Sequence, residues 1–460
     1  MSNDLSFSSL SIPAAQKANL ESIGYREMTP IQAAALPPAL RGLDLVAQAK
    51  TGSGKTAVFG ISLLNRLKPL DVRVQALVIC PTRELSVQVT EEIRKLARAI
   101  PNVRLLTICG GQPFPPQKQS LKQGVHIVVG TPGRIKEHLE KATLVLDRVN
   151  TLVLDEADRM LEMGFIRDIE AIMKHVPAGR QTLLFSATYP ENILDLSARI
   201  QRNPVRVNVE SQHSAAEIDQ HFYACTKESR LATLVTLLFR FKPASTIVFC
   251  NTIQVVRDVS AYLTNQGFIA KAIHGELEQR EREQILVQFK HQSITVLVAT
   301  DVAARGLDIE GLPAVINFEL PPDPEIYIHR IGRTGRAGRA GKALSLFTEH
   351  ERHKVEAIGT FQKRTMSVEN IERIGKVDRV AIKPAMVTLS IAGGRRDKVR
   401  AGEILGALTG TTGVPGTAVG KIDILDFVSY VAVDRDLADK ALRQLESNKI
   451  KGRRYKVGQL

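Results

Sequence analysis

Short uninterrupted apolar runs alternate along the chain with longer stretches whose apolar residues recur at helical spacing. The first runs cover residues 43–49, 76–80, 104–109, 126–130, 151–154 and 181–186. Strands covered on both faces have no solvent side to fill with polar residues, so they read as unbroken apolar stretches. Alternating with amphipathic helices, they predict a parallel sheet wound with helices. A polar segment at 210–217 reads as a linker. The alternation restarts with runs at 221–225, 246–250, 270–273, 295–300, 314–318 and 342–347. Two α/β domains in tandem account for this pattern.

The last 75 or so residues follow a different rhythm. Strands are predicted at 387–391, 420–425, 427–433 and 454–457, and helices at 401–409 and 437–445. A β-α-β-β-α-β order is the ferredoxin-like arrangement common among RNA-recognition domains. The domains expected are therefore 1–209, 217–372 and 384–460.

Composition narrows the class. The chain has 460 residues, 44% hydrophobic and 24% charged, as a globular protein of several domains has. Its 62 Lys and Arg against 48 Asp and Glu give a net charge of +14. Residues 381–460 carry 14 basic and 8 acidic groups, against 48 and 40 in the first 380. Such an excess at one end fits a polyanionic partner, nucleic acid or an anionic membrane surface, and equally a surface charged for solubility. Cys80, Cys109, Cys225 and Cys250 form no Cys-x-x-Cys pair and sit in apolar runs, so buried thiols are expected rather than zinc or disulfides. Met1 to Leu10 lacks a basic head followed by an apolar stretch, and no segment approaches a membrane span. A cytoplasmic location is expected, without membrane association.

The chemistry begins at Ala49-Lys-Thr-Gly-Ser-Gly-Lys-Thr56, a P-loop between a strand and a predicted helix. Gly52 and Gly54 let backbone amides, with that of Ser53, approach phosphate oxygens. Lys55 brings a point charge, and Thr56 a hydroxyl for Mg²⁺. The run Thr151-Leu-Val-Leu154 ends in Asp155-Glu156-Ala157-Asp158. An acid at the end of an apolar strand is the expected second half of such a site. Asp155 is assigned to Mg²⁺, and Glu156 to accepting a proton from the attacking water. Nucleotide hydrolysis is the reading.

With further motifs in order, the chain resembles a DEAD-box ATP-dependent RNA helicase. Gly24-Tyr-Arg-Glu-Met-Thr-Pro-Ile-Gln32 is similar to the Gln motif, with Met28 where the family usually has Pro. Pro81-Thr-Arg-Glu-Leu85, Gly110-Gly111, Thr131-Pro-Gly-Arg134 and Ser186-Ala-Thr188 follow. Then come Val248-Phe-Cys250, Gln279 with Arg282, Ala299-Thr-Asp301, Ala304-Arg-Gly-Leu-Asp308 and His329-Arg-Ile-Gly-Arg-Thr-Gly-Arg336. The resemblance implies an α/β fold class: two tandem RecA-like parallel-sheet domains, with a C-terminal RNA-recognition-motif-like domain after them. It implies that Gln32, with Thr29, reads adenine while Phe7 stacks on it, and that Asp308 meets the ribose. Arg333 and Arg336 become arginine fingers, so hydrolysis requires the two domains to close. Ser186, Thr188 and His329 would couple the nucleotide site to the domain interface. Arg83, Gly111, Thr131, Arg134, Thr300 and Gly306 would hold the RNA backbone. ATP and Mg²⁺ are the implied cofactors. An RNA-stimulated ATPase that opens short duplexes is expected; an ATP-dependent RNA clamp with little unwinding uses the same motifs.

The tail resembles that of the DbpA subfamily, in Val387-Thr-Leu-Ser-Ile-Ala-Gly-Gly394, Gly402-Glu-Ile-Leu-Gly-Ala-Leu-Thr409 and Lys449-Ile-Lys-Gly-Arg453 among others. This resemblance implies a hairpin of large-subunit ribosomal RNA as target, pre-50S particles as partners and a role in 50S subunit assembly. A monomer is expected. Ser390 and Val428 stand where stacking aromatics normally sit on the sheet, leaving only Tyr430. RNA contact is therefore expected from Arg395, Arg396, Lys398 and Arg400, from Lys449, Lys451, Arg453 and Arg454, and from Tyr430.

Overall fold

The computed structural model describes residues 5–48, 53–188, 191–208, 218–304, 309, 311–335, 341–371, 379–410 and 413–460. The expected linker at 210–217 lies outside them, as do the expected site residues Gly52, Gly306, Asp308 and Arg336. Residues 1–212 form the body of one compact unit; residues 213–305 and 309–460 form that of another.

In the first unit, β1 (Leu45–Gln48), β2 (Ala76–Ile79), β3 (Leu105–Ile108), β4 (Ile127–Gly130), β5 (Thr151–Leu154), β6 (Gln181–Ser186) and β7 (Val205–Asn208) make a parallel sheet. Its order is β3-β4-β2-β5-β6-β1-β7. Ala76 and Val78 enter one apolar cluster, and Leu77 and Ile79 the other. Each central strand thus serves two cores, which is why it reads as a continuous apolar run. Strand β7 escaped the sequence pattern because it is a short, half-exposed edge strand.

The second unit contains β8 (Ile218–Ala224), β9 (Thr246–Cys250), β10 (Ala270–Ile273), β11 (Val296–Thr300), β12 (Ala314–Asn317), β13 (Gly341–Phe347) and β14 (Ser367–Glu369), in the order β10-β11-β9-β12-β13-β8-β14. Strand β14, exposed and three residues long, also went unpredicted.

A four-stranded antiparallel sheet follows: β15 (Met386–Ile391), β16 (Val419–Ile424), β17 (Ser429–Asp434) and β18 (Val457–Gln459), in the order β16-β17-β15-β18. With the helices Ala401–Thr409 and Ala438–Ser447 it realises the expected β-α-β-β-α-β order. The last strand begins at Val457 rather than Arg454. Ahead of it, Lys451 and Gly452 turn the chain at φ 51° and 77°, and β18 pairs with β15 only from Val457 onward.

One face of this sheet packs Val387, Leu389, Ile391, Val431 and Val433 against its own helices. The other face lies on the helix Gln279–Lys290 and the turn after it. His291 Nε2 donates to Asp423 Oδ2 at 2.9 Å, and Thr388 Oγ1 sits 3.2 Å from His291 Nδ1 and 2.7 Å from Ser293 Oγ. Tyr430 is 1% exposed and hydrogen-bonded to Gln284. The expectation that Tyr430 meets RNA is corrected accordingly: its sheet face is spent on the helicase core.

Candidate nucleotide and RNA sites

Sheet order in the first unit divides the carboxyl edge in two, and loops at this edge are where open α/β sheets bind ligands. The P-loop follows β1, the acidic tetrad follows β5, and Ser186 ends β6 between them. Arg83, Gly111, and Thr131 with Arg134 follow β2, β3 and β4, on the other half.

In the nucleotide half, the helix Lys55–Asn65 starts after Gly54, whose φ of 93° suits glycine alone. A β-carbon there would also collide with the Gln32 amide. Gln32 Nε2 donates to Gly54 O at 3.1 Å and its Oε1 accepts from Thr29 N at 2.8 Å; Thr29 Oγ1 donates to Ser53 O at 2.8 Å. The Gln motif therefore braces the P-loop backbone. One amide hydrogen and one lone pair of Gln32 remain for a base edge. Phe7 is placed otherwise than expected. It belongs to the apolar core, 2% exposed and edge-on to Tyr25 at 5.4 Å, so no face is open for stacking.

Lys55 Nζ lies 2.9 Å from Asp155 Oδ1 and 3.9 Å from Glu156 Oε1, all three residues being buried. Burial works against the Lys55 charge, but Asp155 and Glu156 more than offset it and hold the ammonium above its ordinary value. Burial pushes the Asp155 carboxyl up, with Lys55 pulling it back. Neither Asp155 oxygen nor the Ser53 hydroxyl accepts a well-aligned hydrogen bond among the described residues. A buried carboxylate satisfied only by one ammonium is costly. It suits a site completed by a divalent cation and triphosphate, with half-buried Thr56 at the start of the helix. Glu156 holds a left-handed backbone, φ 54°, ahead of the helix Ala157–Glu162. Such strain, about 1–3 kcal/mol, concentrates at functional positions.

Asp158 carries a role the sequence reading left unassigned. Its Oδ2 accepts from Ala187 N at 3.0 Å, Thr188 N at 3.1 Å and Thr188 Oγ1 at 3.2 Å. Ser186 Oγ donates to Thr188 O at 2.7 Å. The tetrad and the Ser-Ala-Thr motif are thus one hydrogen-bonded piece. No local pattern could have shown it.

In the other half, a β-carbon on Gly111 would overlap the Arg83 guanidinium, so glycine lets Arg83 lie flat on that loop. Thr131 precedes the helix Pro132–Glu140, and Arg134 Nη1 donates to Gln112 O at 3.0 Å and Gln117 Oε1 at 3.1 Å. Buried Gln117 also holds Cys109 O and His138 Nε2. His138 stacks on Phe114 at 4.1 Å, with the Lys141 ammonium 4.4 Å from the Phe114 ring centre. Burial, then the Arg134 charge, pull His138 down to about 4. An unfolded chain takes up this proton near pH 6.5, and the native state only near 4. Stability is therefore lost as pH falls through that window, by at most about 1.4 kcal/mol per unit. Urea unfolding at pH 7, 5.5 and 4.5 should show His138→Gln losing less stability than the wild type over this range.

In the second unit, Thr300 ends β11, and its Oγ1 accepts from Ala303 N at 3.4 Å. His329 lies half-buried on the helix Pro324–Ile331, and Arg333, 8% exposed, follows it. Between them Arg330, also unassigned from sequence, is the largest fully buried side chain among the described residues.

In the C-terminal domain, the two basic clusters meet. Lys451 Nζ donates to Lys398 O at 3.1 Å, Ala392 N to Lys456 O at 2.9 Å, and the Tyr455 ring lies against Gly393. Arg395, Arg396, Lys398, Arg400, Lys449, Lys451, Arg453 and Arg454 are all exposed. The described residues include no carboxylate–histidine–cysteine cluster suited to a metal ion and no helix long and apolar enough to cross a membrane.

Comparison with known proteins agrees with this geometry. Residues 29–196 match the DEAD/DEAH box helicase family, 229–338 the helicase conserved C-terminal domain, and 388–459 the DbpA RNA binding domain. The chain is 48% identical over 452 residues to the ATP-dependent RNA helicase DbpA of Escherichia coli (strain K12), covering 98% of each. It is 45% identical over 348 residues to the DEAD-box ATP-dependent RNA helicase CshA of Geobacillus kaustophilus (strain HTA426), covering 75% of this chain and 74% of that one. Among solved structures, S. cerevisiae Dbp5 bound to RNA and ADP BeF3 matches at TM-score 0.73 and 28% identity, over 81% of this chain and all of that one. With the P-loop, the acidic tetrad and the Ser-Ala-Thr motif along one sheet edge, and a basic domain at the C-terminal end of the sequence, the chain belongs to the DEAD-box ATP-dependent RNA helicases that end in a DbpA RNA-binding domain.

Proposed function

We propose that this helicase opens short duplexes in large-subunit ribosomal RNA, directed by its C-terminal domain to a hairpin there during 50S subunit assembly. It acts as a cytoplasmic monomer on pre-50S particles. The observation that supports this reading is the joining of the two basic clusters at Lys398 and Lys451, on a domain matching the DbpA RNA binding domain. Brought together, they can neutralise neighbouring phosphates of one folded RNA.

In the hydrolytic cycle, Lys55 and the P-loop amides orient the triphosphate of ATP. Asp155 and Thr56 would hold Mg²⁺, which supplies charge stabilisation on the phosphate oxygens. Glu156 accepts the proton of the attacking water, and Arg333 and Arg336 supply positive charge to the transferring phosphoryl group. Asp158 transmits the state of the site to Thr188. Arg83, Thr131 and Arg134 contact the RNA backbone, which makes the core indifferent to sequence.

The test keeps the chain whole, because truncation would uncover the helix that Tyr430 packs on. Lys398→Glu with Lys451→Glu should lower ATPase stimulation by ribosomal RNA to the level given by unrelated RNA, at fixed salt, while leaving the maximal rate intact. Equal stimulation by both RNAs in the unaltered chain would refute the targeting role.

A further inference from the structure

Covering the sheet face removes the surface on which this class of domain ordinarily stacks bases, yet one aromatic ring is displayed elsewhere. Phe427, at the tip of the β16–β17 turn, is 64% exposed. The turn beneath it is braced: Leu425 N donates to Val428 O at 2.9 Å, Arg395 N to Leu425 O at 2.8 Å and Arg396 N to Asp426 O at 3.0 Å. Gly394 has no room for a β-carbon against Leu425 O and Asp426, which fixes the turn directly on the arginine loop. The Arg396 guanidinium stands 4.6 Å from the Phe427 ring centre. On the far side of the same loop, Lys398 O receives Lys451.

We propose that Phe427 and Arg396 form a stacking site for an unpaired RNA base, transferred from the sheet face to the turn beside the basic clusters. This rests on the reading that the C-terminal domain selects RNA. An exposed phenyl ring gains by covering its apolar face, and every nucleobase offers a flat partner. Arg396 adds cation–π attraction and a positive charge for the adjoining phosphate. The braced backbone means that little order must be gained on binding. The adjacent Asp426, with Asp397 in the arginine loop, can accept a hydrogen bond from an exocyclic amine but repels a purely anionic surface. That disfavours an acidic polymer without bases.

Full-length protein is titrated with two RNAs of equal length, a stem-loop carrying an unpaired extension and a blunt duplex. Phe427→Ala should weaken binding of the first about ten-fold, and of the second less than about two-fold. The dependence of log affinity on log salt should be unchanged. Lys451→Ala should reduce that slope by about one on both RNAs. The chain contains no tryptophan, so Phe427→Trp gives a lone reporter, whose emission the stem-loop should quench while heparin does not. Equal affinities for wild type and Phe427→Ala, unquenched emission at saturating stem-loop, or equal quenching by heparin would each overturn the stacking site. If Lys451→Ala is also without effect, the selection of RNA by this domain falls with it.

Discussion

Replacing Glu156 by Gln should lower ATP turnover by about 10²- to 10⁴-fold, the range ascribed to a positioned general base. ATP and RNA should still bind, because the isosteric amide leaves Lys55, its 2.9 Å contact with Asp155 and the P-loop brace from Gln32 in place. Single-turnover hydrolysis with saturating RNA separates the two quantities, and turnover at the wild-type rate would dismiss Glu156 as the base. A companion variant draws on its backbone. With φ at 54°, Glu156→Gly relieves left-handed strain of about 1 kcal/mol. That variant should unfold at higher urea while losing hydrolysis as completely. Stability and activity moving in opposite directions identify a strained catalytic position.

The elements legible in the sequence were those whose burial leaves a mark on their own residues. Strands β2, β4 and β5 are covered on both faces and spell apolar runs; the half-exposed edge β7 and the exposed edge β14 carry no such mark and form through pairing. The site divides the same way. Lys55, Asp155 and Glu156 stand in contiguous motifs, and the structure brings them within 4 Å of one another. Asp158 acts on residues 29 and 30 positions away, and the basic clusters join across 53. Such bonds follow from topology, which local spacing does not encode. Tyr430 shows the converse error. The resemblance to an RNA-recognition domain places it on the sheet face opposite Val431, where it lies, but nothing local says that another part of the chain, near Gln284, covers that face.

Arg330 is the clearest case of a residue whose importance only packing reveals. It should be the most destabilising position to truncate in the second unit. Its Nε and Nη2 grip Asp301 at 2.6 and 2.7 Å, Nη2 also donates to Asn251 Oδ1 at 2.8 Å, and Nη1 to Glu319 O at 2.7 Å. The guanidinium lies 5.2 Å from the Phe249 ring centre. One planar cation thus joins the ends of β9, β11 and β12 to the helix that carries His329 and leads to Arg333. Arg330→Met preserves most of the volume but strands Asp301, whose side chain is 18% exposed, and should cost about 3–5 kcal/mol, as breaking one side of a buried pair does. Arg330→Lys keeps the charge and loses the fork, so its loss should be smaller but still large. Removing both charges with Arg330→Met and Asp301→Leu should recover part of the deficit, because no ion is then left buried alone. Urea unfolding of these three variants and of Asp301→Leu alone measures this. An Arg330→Met protein within about 1 kcal/mol of wild type, or a double variant showing the plain sum of its single losses, would mean that the pair does not hold these strand ends together.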